Sequence, residues 1–207
     1  MTTPPSEIAQ LRKPTLKERQ RQLREDAILD AAEDLLLNRG LGAMTLEDLS
    51  VEVGISKPTL YQHFRSKDEV IAGIMTRGLR AAKRQLQEFS AVLPPAKALK
   101  ALIEIFVEKR AENNCGPVTD LCIALSQLAQ GPIREAEREF NDEIEVLVTA
   151  GQRDGTIRAG VPALFISQTM ISISKDTTYH DMLTDGRTNI PTMKKALIEM
   201  LLGPQSD

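Results

Sequence analysis

Between Thr45 and Lys67 two short apolar periodicities flank Gly54, and few folds accommodate that pattern. Leu46, Leu49 and Val53 recur at helical spacing and predict a helix with those three side chains inward. Gly54 follows where a left-handed C-cap costs glycine least. Ile55 is expected to fill the corner. Ser56 is expected to cap a second helix whose Leu60 and Phe64, four apart, face the same core. Lys57, Pro58, Thr59, Tyr61 and His63 are then left pointing outward, with the Ser56 hydroxyl beside them. Such a strip packs poorly but suits phosphates and base edges, so the segment reads as a DNA-reading helix-turn-helix. A helical hairpin with a solvated face would have no packing reason for three exposed hydroxyl side chains.

The net charge of −3 does not oppose this reading. Residues 1–80 carry 12 Lys/Arg and 12 Asp/Glu, so the deficit lies in residues 81–207, which carry 14 and 17. Within the first part the cations cluster. Residues 10–24 hold Arg12, Lys13, Lys17, Arg19, Arg21 and Arg24 against Glu18 alone, and residues 53–67 hold Lys57, Arg65 and Lys67 with no acid. Screening confines phosphate attraction to ~8–10 Å at ordinary salt, so local charge decides. Both a solvated tail and a minor-groove or phosphate contact fit the basic stretch at residues 12–24.

Nearly everything beyond residue 15 reads as helix. Residues 1–15 are expected to be a disordered basic arm. A long helix follows from about Leu16 to Asn38, with Ile28, Ala31, Ala32, Leu35 and Leu36 on one stripe and Arg39-Gly40 ending it. Thr45-x-x-Asp48 and Ser66-x-x-Glu69 resemble capping boxes that open the second and fourth helices, around the short third helix between them. The helix from Lys67 to about Phe89 is charged at its start, apolar at Val70, Ile71, Ile74 and Met75, and solvated at its end, which suits a connector. Further helices are expected at Pro95–Ala111, Pro117–Ala129, Pro132–Arg153, Pro162–Tyr179 and Pro191–Leu202, because proline is tolerated in a first turn and little else in a helix. Asp181–Ile190 is expected to be a mobile linker, with His180 a surface residue in a loop.

Over Arg24–Met75 the chain resembles the tetracycline-repressor-type (TetR/AcrR) family of bacterial transcription regulators. The resemblance rests on Ile28-Leu-Asp-Ala-Ala, on Gly40 followed by Thr45-Leu-x-Asp-Leu, and on Val53-Gly-Ile-Ser-Lys-Pro-Thr-Leu-Tyr-Gln-His-Phe-x-Ser-Lys67-x-Glu. Beyond residue 90 it is architectural, apart from Gly151-Gln-Arg-Asp-Gly155-Thr-Ile, which resembles a helix end found in many members. The family implies an all-α fold: a three-helix DNA-binding head (16–66), a linking helix (67–89), and a helical ligand-binding and dimerisation domain (90–207). It also implies a cytoplasmic homodimer acting on double-stranded DNA, more often as a repressor. By the motif match, Thr45, Tyr61 and Lys67 would hold phosphates, and Lys57, Pro58, Thr59 and His63 would lie near base edges, with Ser56 in the same strip. Lysine can reach guanine acceptors, and threonine or proline can touch a thymine methyl. One short helix discriminates modestly, so two copies on a palindrome with half-sites roughly 34 Å apart are expected.

The family's effector pocket is expected to be mostly apolar. Helical faces and family architecture suggest Met75, Phe106, Cys122, Leu125, Phe140 and Ile144 as its lining. The stripes Ile166, Met170, Ile171, Ile173 and Met193, Leu197, Leu201 fit either a dimer interface or intramolecular core. Two alternatives remain: a regulator without an effector, and a thiol sensor acting through Cys115. Cys115 precedes Gly116-Pro117 at an expected helix start, where the dipole can lower a thiol pKa, and it resembles a cysteine in an oxidant-responsive subgroup. A small core residue is the competing reading. Two cysteines and two histidines show no metal-ligand spacing. The sequence offers no nucleophile elbow, no phosphate-cradling glycine loop and no cofactor motif, and no run approaches ~18 apolar residues. It is therefore read as a non-enzyme without a membrane span.

Overall fold

Thr15 opens the first helix with a complete capping box: its hydroxyl accepts from Glu18 N, and the Glu18 carboxylate accepts from Thr15 N at 2.6 Å. The computed structural model describes residues 13, 15–112, 131–175 and 178–203. Among these the fold is all-helical, as expected. Its elements are α1 (Leu16–Ala43), α2 (Leu46–Val53), α3 (Lys57–Tyr61), α4 (Lys67–Ser90), α5 (Pro95–Glu112), α6 (Pro132–Arg153), α7 (Ala163–Lys175), α8 (Thr178–Thr184) and α9 (Ile190–Leu202). None of the described helices is long and apolar enough to cross a membrane. α1 runs beyond the expected Asn38 but is broken at Gly40, whose φ of 77° and ψ of 167° are not helical.

Two apolar cores form. The first joins Ile28, Ala32, Leu35 and Leu36 of α1 to Leu49, Leu60 and Phe64, and to Val70, Ile71 and Ile74 of α4. The second gathers Leu86 of α4 with Leu99 and Leu102 of α5, Phe140, Ile144 and Val148 of α6, and the inner faces of α7 and α9. α4 therefore contributes to both. Leu79 of α4 packs on both, and one buried residue of α6 crosses the division: Ile133, in its first turn, is 2% exposed and belongs to the first core. Two bridges fix α6 against α4: Lys83 Nζ donates to Glu139 Oε2 at 3.0 Å and Gln87 Nε2 to Glu143 Oε2 at 2.9 Å. Each spans 56 residues, so the two helices run parallel in fixed register.

Three expectations change in the C-terminal part. The single helix expected over Pro162–Tyr179 is two, α7 and α8, with residues 176–177 outside those described. The start of the expected mobile linker is helical, and it closes in a bonded turn: Gly186 N donates to Leu183 O and Thr188 N to Met182 O. Met182 and Leu183 pack on the second core, so two apolar contacts order a segment that is polar on average. His180 is buried in α8, not exposed in a loop. The stripes at Ile166, Met170, Ile171 and at Met193, Leu197, Leu201 are intramolecular core, which leaves Leu164, Phe165 and Met200 exposed on α7 and α9. The expected helix at 117–129, together with Cys115, Cys122 and Leu125, lies outside the described residues, as does most of the N-terminal arm.

Candidate nucleic-acid interface

The geometry of the head is set by caps. Thr45 and Asp48 form the second complete capping box: Asp48 N donates to Thr45 Oγ1 at 3.1 Å, Thr45 N to Asp48 Oδ2 at 3.3 Å, and the Thr45 hydroxyl to the same oxygen at 2.6 Å. These bonds, with the charge of Arg39, hold the Asp48 carboxyl below the usual carboxylate range. Gly54 ends α2 in the left-handed region (φ 71°, ψ 33°), and Ile55 N reaches back to Ser50 O at 3.0 Å, a Schellman closure. The chain turns sharply there. Ser56 then caps α3 by accepting from Thr59 N, and its hydroxyl lies 2.8 Å from that of Thr59. Ser66 accepts from Glu69 N to start α4, but the Glu69 carboxylate returns to Arg65 N at 2.7 Å, so this box is displaced by one residue.

α3 has five residues, too few to stand alone in water. Leu60, 0% exposed, and Phe64, just beyond the helix, anchor it. Burying such a leucine stabilises by about 1.5–3 kcal/mol. With that side fixed, Ser56, Lys57, Pro58 and Tyr61 are exposed, and Thr59 and Lys67 are half-buried. Thr45 lies at the start of α2 with its side chain engaged in the cap. The outward strip is thus assembled, with one correction.

His63 does not point outward. Its side chain is only 7% exposed and its Nδ1 lies 3.2 Å from Glu25 Oε1. The same oxygen accepts from Arg21 Nε at 2.8 Å. Burial pushes the Glu25 carboxyl up, but the hydrogen bonds from Arg21 and His63 outweigh it and leave it below the usual range. His63 thereby ties the end of α3 to α1. The determining residue lies 38 positions upstream, where no local spacing rule reaches.

Lys57 has a partner that the sequence reading missed: its Nζ lies 3.0 Å from Glu47 Oε1, across the turn. That hydrogen bond holds the Glu47 carboxyl below its usual range. Both groups are exposed, so the pair is a weak restraint on the Lys57 ammonium. Glu47→Gln is expected to strengthen DNA binding, because the Lys57 ammonium no longer has to leave a carboxylate before it reaches a base edge. A fluorescence-anisotropy titration measures this, and an unchanged affinity would show that the Glu47 pair does not restrain Lys57.

The proposed effector residues scatter. Met75 packs against the first core, at the head end of α4. Phe106 and Phe140 meet edge to face at 6.3 Å, and Ile144 is fully buried beside them in the second core. A void of about 10 Å³ touches Phe106, Met170 and Leu197. A much larger cleft, about 1450 Å³, opens between α1, α4 and α5. Its walls include Asp26, Asp30, Arg77, Arg80, Arg84, Phe106 and Lys109. Arg77 spans it near the head, bonding Asp30 at 2.7 Å and Glu33 at 3.0 Å. Among the described residues no cluster of His, Cys, Asp and Glu could hold a metal ion.

Residues 28–74, the core of this head, match the family model described as bacterial regulatory proteins, tetR family. Over 93 residues the chain is 37% identical to the HTH-type transcriptional regulator AlkX of Mycobacterium tuberculosis, covering 45% of this chain and 43% of AlkX. The chain thus spans less than half the length of the first curated relatives it matches. Among solved structures, the fatty acid degradation regulator FadR of Bacillus halodurans shares the fold with a TM-score of 0.69 at 16% identity, over 92% of this chain and 97% of that one. AibR, solved with isovaleryl coenzyme A and operator DNA, does so at 0.62 and 18%, over 87% and 99%.

Proposed function

We propose that this member of the tetR family of bacterial regulatory proteins is a homodimeric, ligand-responsive transcriptional regulator, a repressor released from a palindromic operator by a small molecule. The observation that carries the reading is the exposed strip of Ser56, Lys57, Pro58 and Tyr61 along a helix too short to stand alone. Thr45, Tyr61 and Lys67 hold phosphates, while Ser56, Lys57, Pro58 and Thr59 face the major groove. His63 acts behind them, as a brace. The fold shared with AibR, solved on operator DNA and isovaleryl coenzyme A, supports both partner classes.

Residues 16–66 form the head, 67–89 the link, and 90–207 the effector and dimerisation body, in a cytoplasmic protein. The dimer seam runs over the faces of α7 and α9 that carry Leu164, Phe165 and Met200, since the stripes beneath them are occupied by the chain's own core. An effector bound between α4 and the body favours one tilt of α4, and that tilt resets the separation of the two α3 helices. Decisive switching requires a preference of several kcal/mol for one tilt.

Selection from random duplexes tests the reading. The expected product is a palindrome with half-sites about 34 Å apart or a multiple of that. Tyr61→Ala with Lys67→Ala should weaken binding to it at least tenfold while the melting temperature stays nearly constant. Enrichment of a single half-site would refute the dimer, and no enrichment would refute the regulator.

A further inference from the structure

The first two and a half turns of α1 bury nothing. Residues 16–24 are all exposed, and the first core residue is Ile28. At 1.5 Å per residue the stretch overhangs the head by roughly 14 Å. An isolated helix of this length is marginal in water, and no apolar packing repays its order, since Leu16 and Leu23 are 65% and 69% exposed. Yet its start carries a complete capping box.

The overhang is not uniform around its axis. At ~100° per residue, Lys17, Arg21 and Arg24 all fall within about 40° of the direction of Ile28, and Arg19 falls on the opposite side. The stripe that is apolar inside the head, at Ile28, Ala32 and Leu35, thus continues as cations where the helix overruns the head's edge. The acid among these turns, Glu18, already serves the Thr15 cap. The stripe is also braced against the reading helix, because Arg21 and His63 share Glu25 Oε1. Arg21 spends its Nε on that bond, and its terminal guanidinium nitrogens remain on an exposed side chain.

We infer that Lys17, Arg21 and Arg24 form a second phosphate-binding ridge, which grips the DNA backbone flanking each half-site beyond the reach of α3. The inference rests on the DNA-binding reading above. A single-sign, exposed stripe held at a fixed distance from a groove-reading helix matches a phosphate chain, whose charge repeats every ~1.7 Å along the duplex axis. The ridge adds affinity and register without reading sequence.

The test uses the full chain and the duplex recovered by selection, in a long form and in a form trimmed to the half-sites. On the long duplex, Lys17→Gln with Arg24→Gln should flatten the dependence of log K on log salt by about 0.9 per lost contact, close to 2 per protomer. The charge-matched Arg19→Gln with Lys100→Gln, the second an exposed lysine of α5, should leave it nearly unchanged. Trimming the duplex should bring the wild-type slope down to that of the ridge variant. A ridge variant with the wild-type slope, or equal losses in both variants, would overturn the ridge while leaving the regulator reading intact. Absence of any selectable duplex for the wild type would overturn both. Circular dichroism melting is expected to be unchanged in all variants, since these side chains bury no surface.

Discussion

Leu60→Ala is expected to destabilise the head by about 2–5 kcal/mol, the range for truncating a fully buried leucine in a packed core. Operator binding should fall by at least two orders of magnitude. The two effects have one origin. α3 holds five residues, its helical bonds are few, and its apolar anchor is Leu60 with Phe64 behind it. Removal of three buried carbons leaves a cavity under the strip proposed to meet DNA, and the strip loses its fixed orientation. Tyr61→Ala provides the contrast. That side chain is 45% exposed, so its loss should change stability by no more than ~0.5 kcal/mol while still weakening DNA binding. Denaturant unfolding with parallel binding titrations separates the two. If Leu60→Ala binds as tightly as the wild type at equal stability, the anchored-helix account is wrong.

What could be read from the chain before its structure was what is decided within about four residues. Caps at Thr45, Ser56 and Ser66 are each made by a hydroxyl meeting a backbone N–H three positions on. Pro95 and Pro132 open α5 and α6 because proline lacks only a donor that the first turn does not use. Periodicity placed the head core from Ile28 to Ile74. The misses are long-range. His63 turns inward because Glu25 waits on another helix, and Lys57 is engaged because α2 brings Glu47 across the turn. The short helix α8 is ordered by Met182 and Leu183 docking on a core built from distant segments. Periodicity could also show that α7 and α9 have apolar faces, but not whether those faces meet their own chain or a second copy. An effector lining has no local signature, since a cavity is defined by what several helices fail to fill. No single helical face records that.

Ile133→Ala is the second substitution with a large expected effect, and it tests how the body speaks to the head. Ile133 belongs by sequence to α6, whose later buried residues, Phe140, Ile144 and Val148, fill the second core. By contact it belongs to the first core, with Ile74 and Val70. α6 starts at Gly131, whose φ of 63° and lack of a side-chain cap leave little local hold on this turn, so the buried isoleucine is its anchor. Lower down, Lys83–Glu139 and Gln87–Glu143 clamp the same helix to α4. Any displacement of α6 is therefore delivered to the head at two levels: through α4, and directly through Ile133. Truncation should cost about 2–5 kcal/mol and, unlike Leu60→Ala, should uncouple the two cores. One cooperative unfolding transition in the wild type becomes two in the variant, the head melting first. In hydrogen exchange, α1–α3 amides should open without α6. Since coupling between sites is typically worth 1–3 kcal/mol, loss of this contact should remove most of the leverage that the proposed effector has on DNA binding. Val146→Ala, on the solvent face of the same helix and 66% exposed, should do none of this. If Ile133→Ala keeps a single transition at an unchanged midpoint, the head is governed through α4 alone.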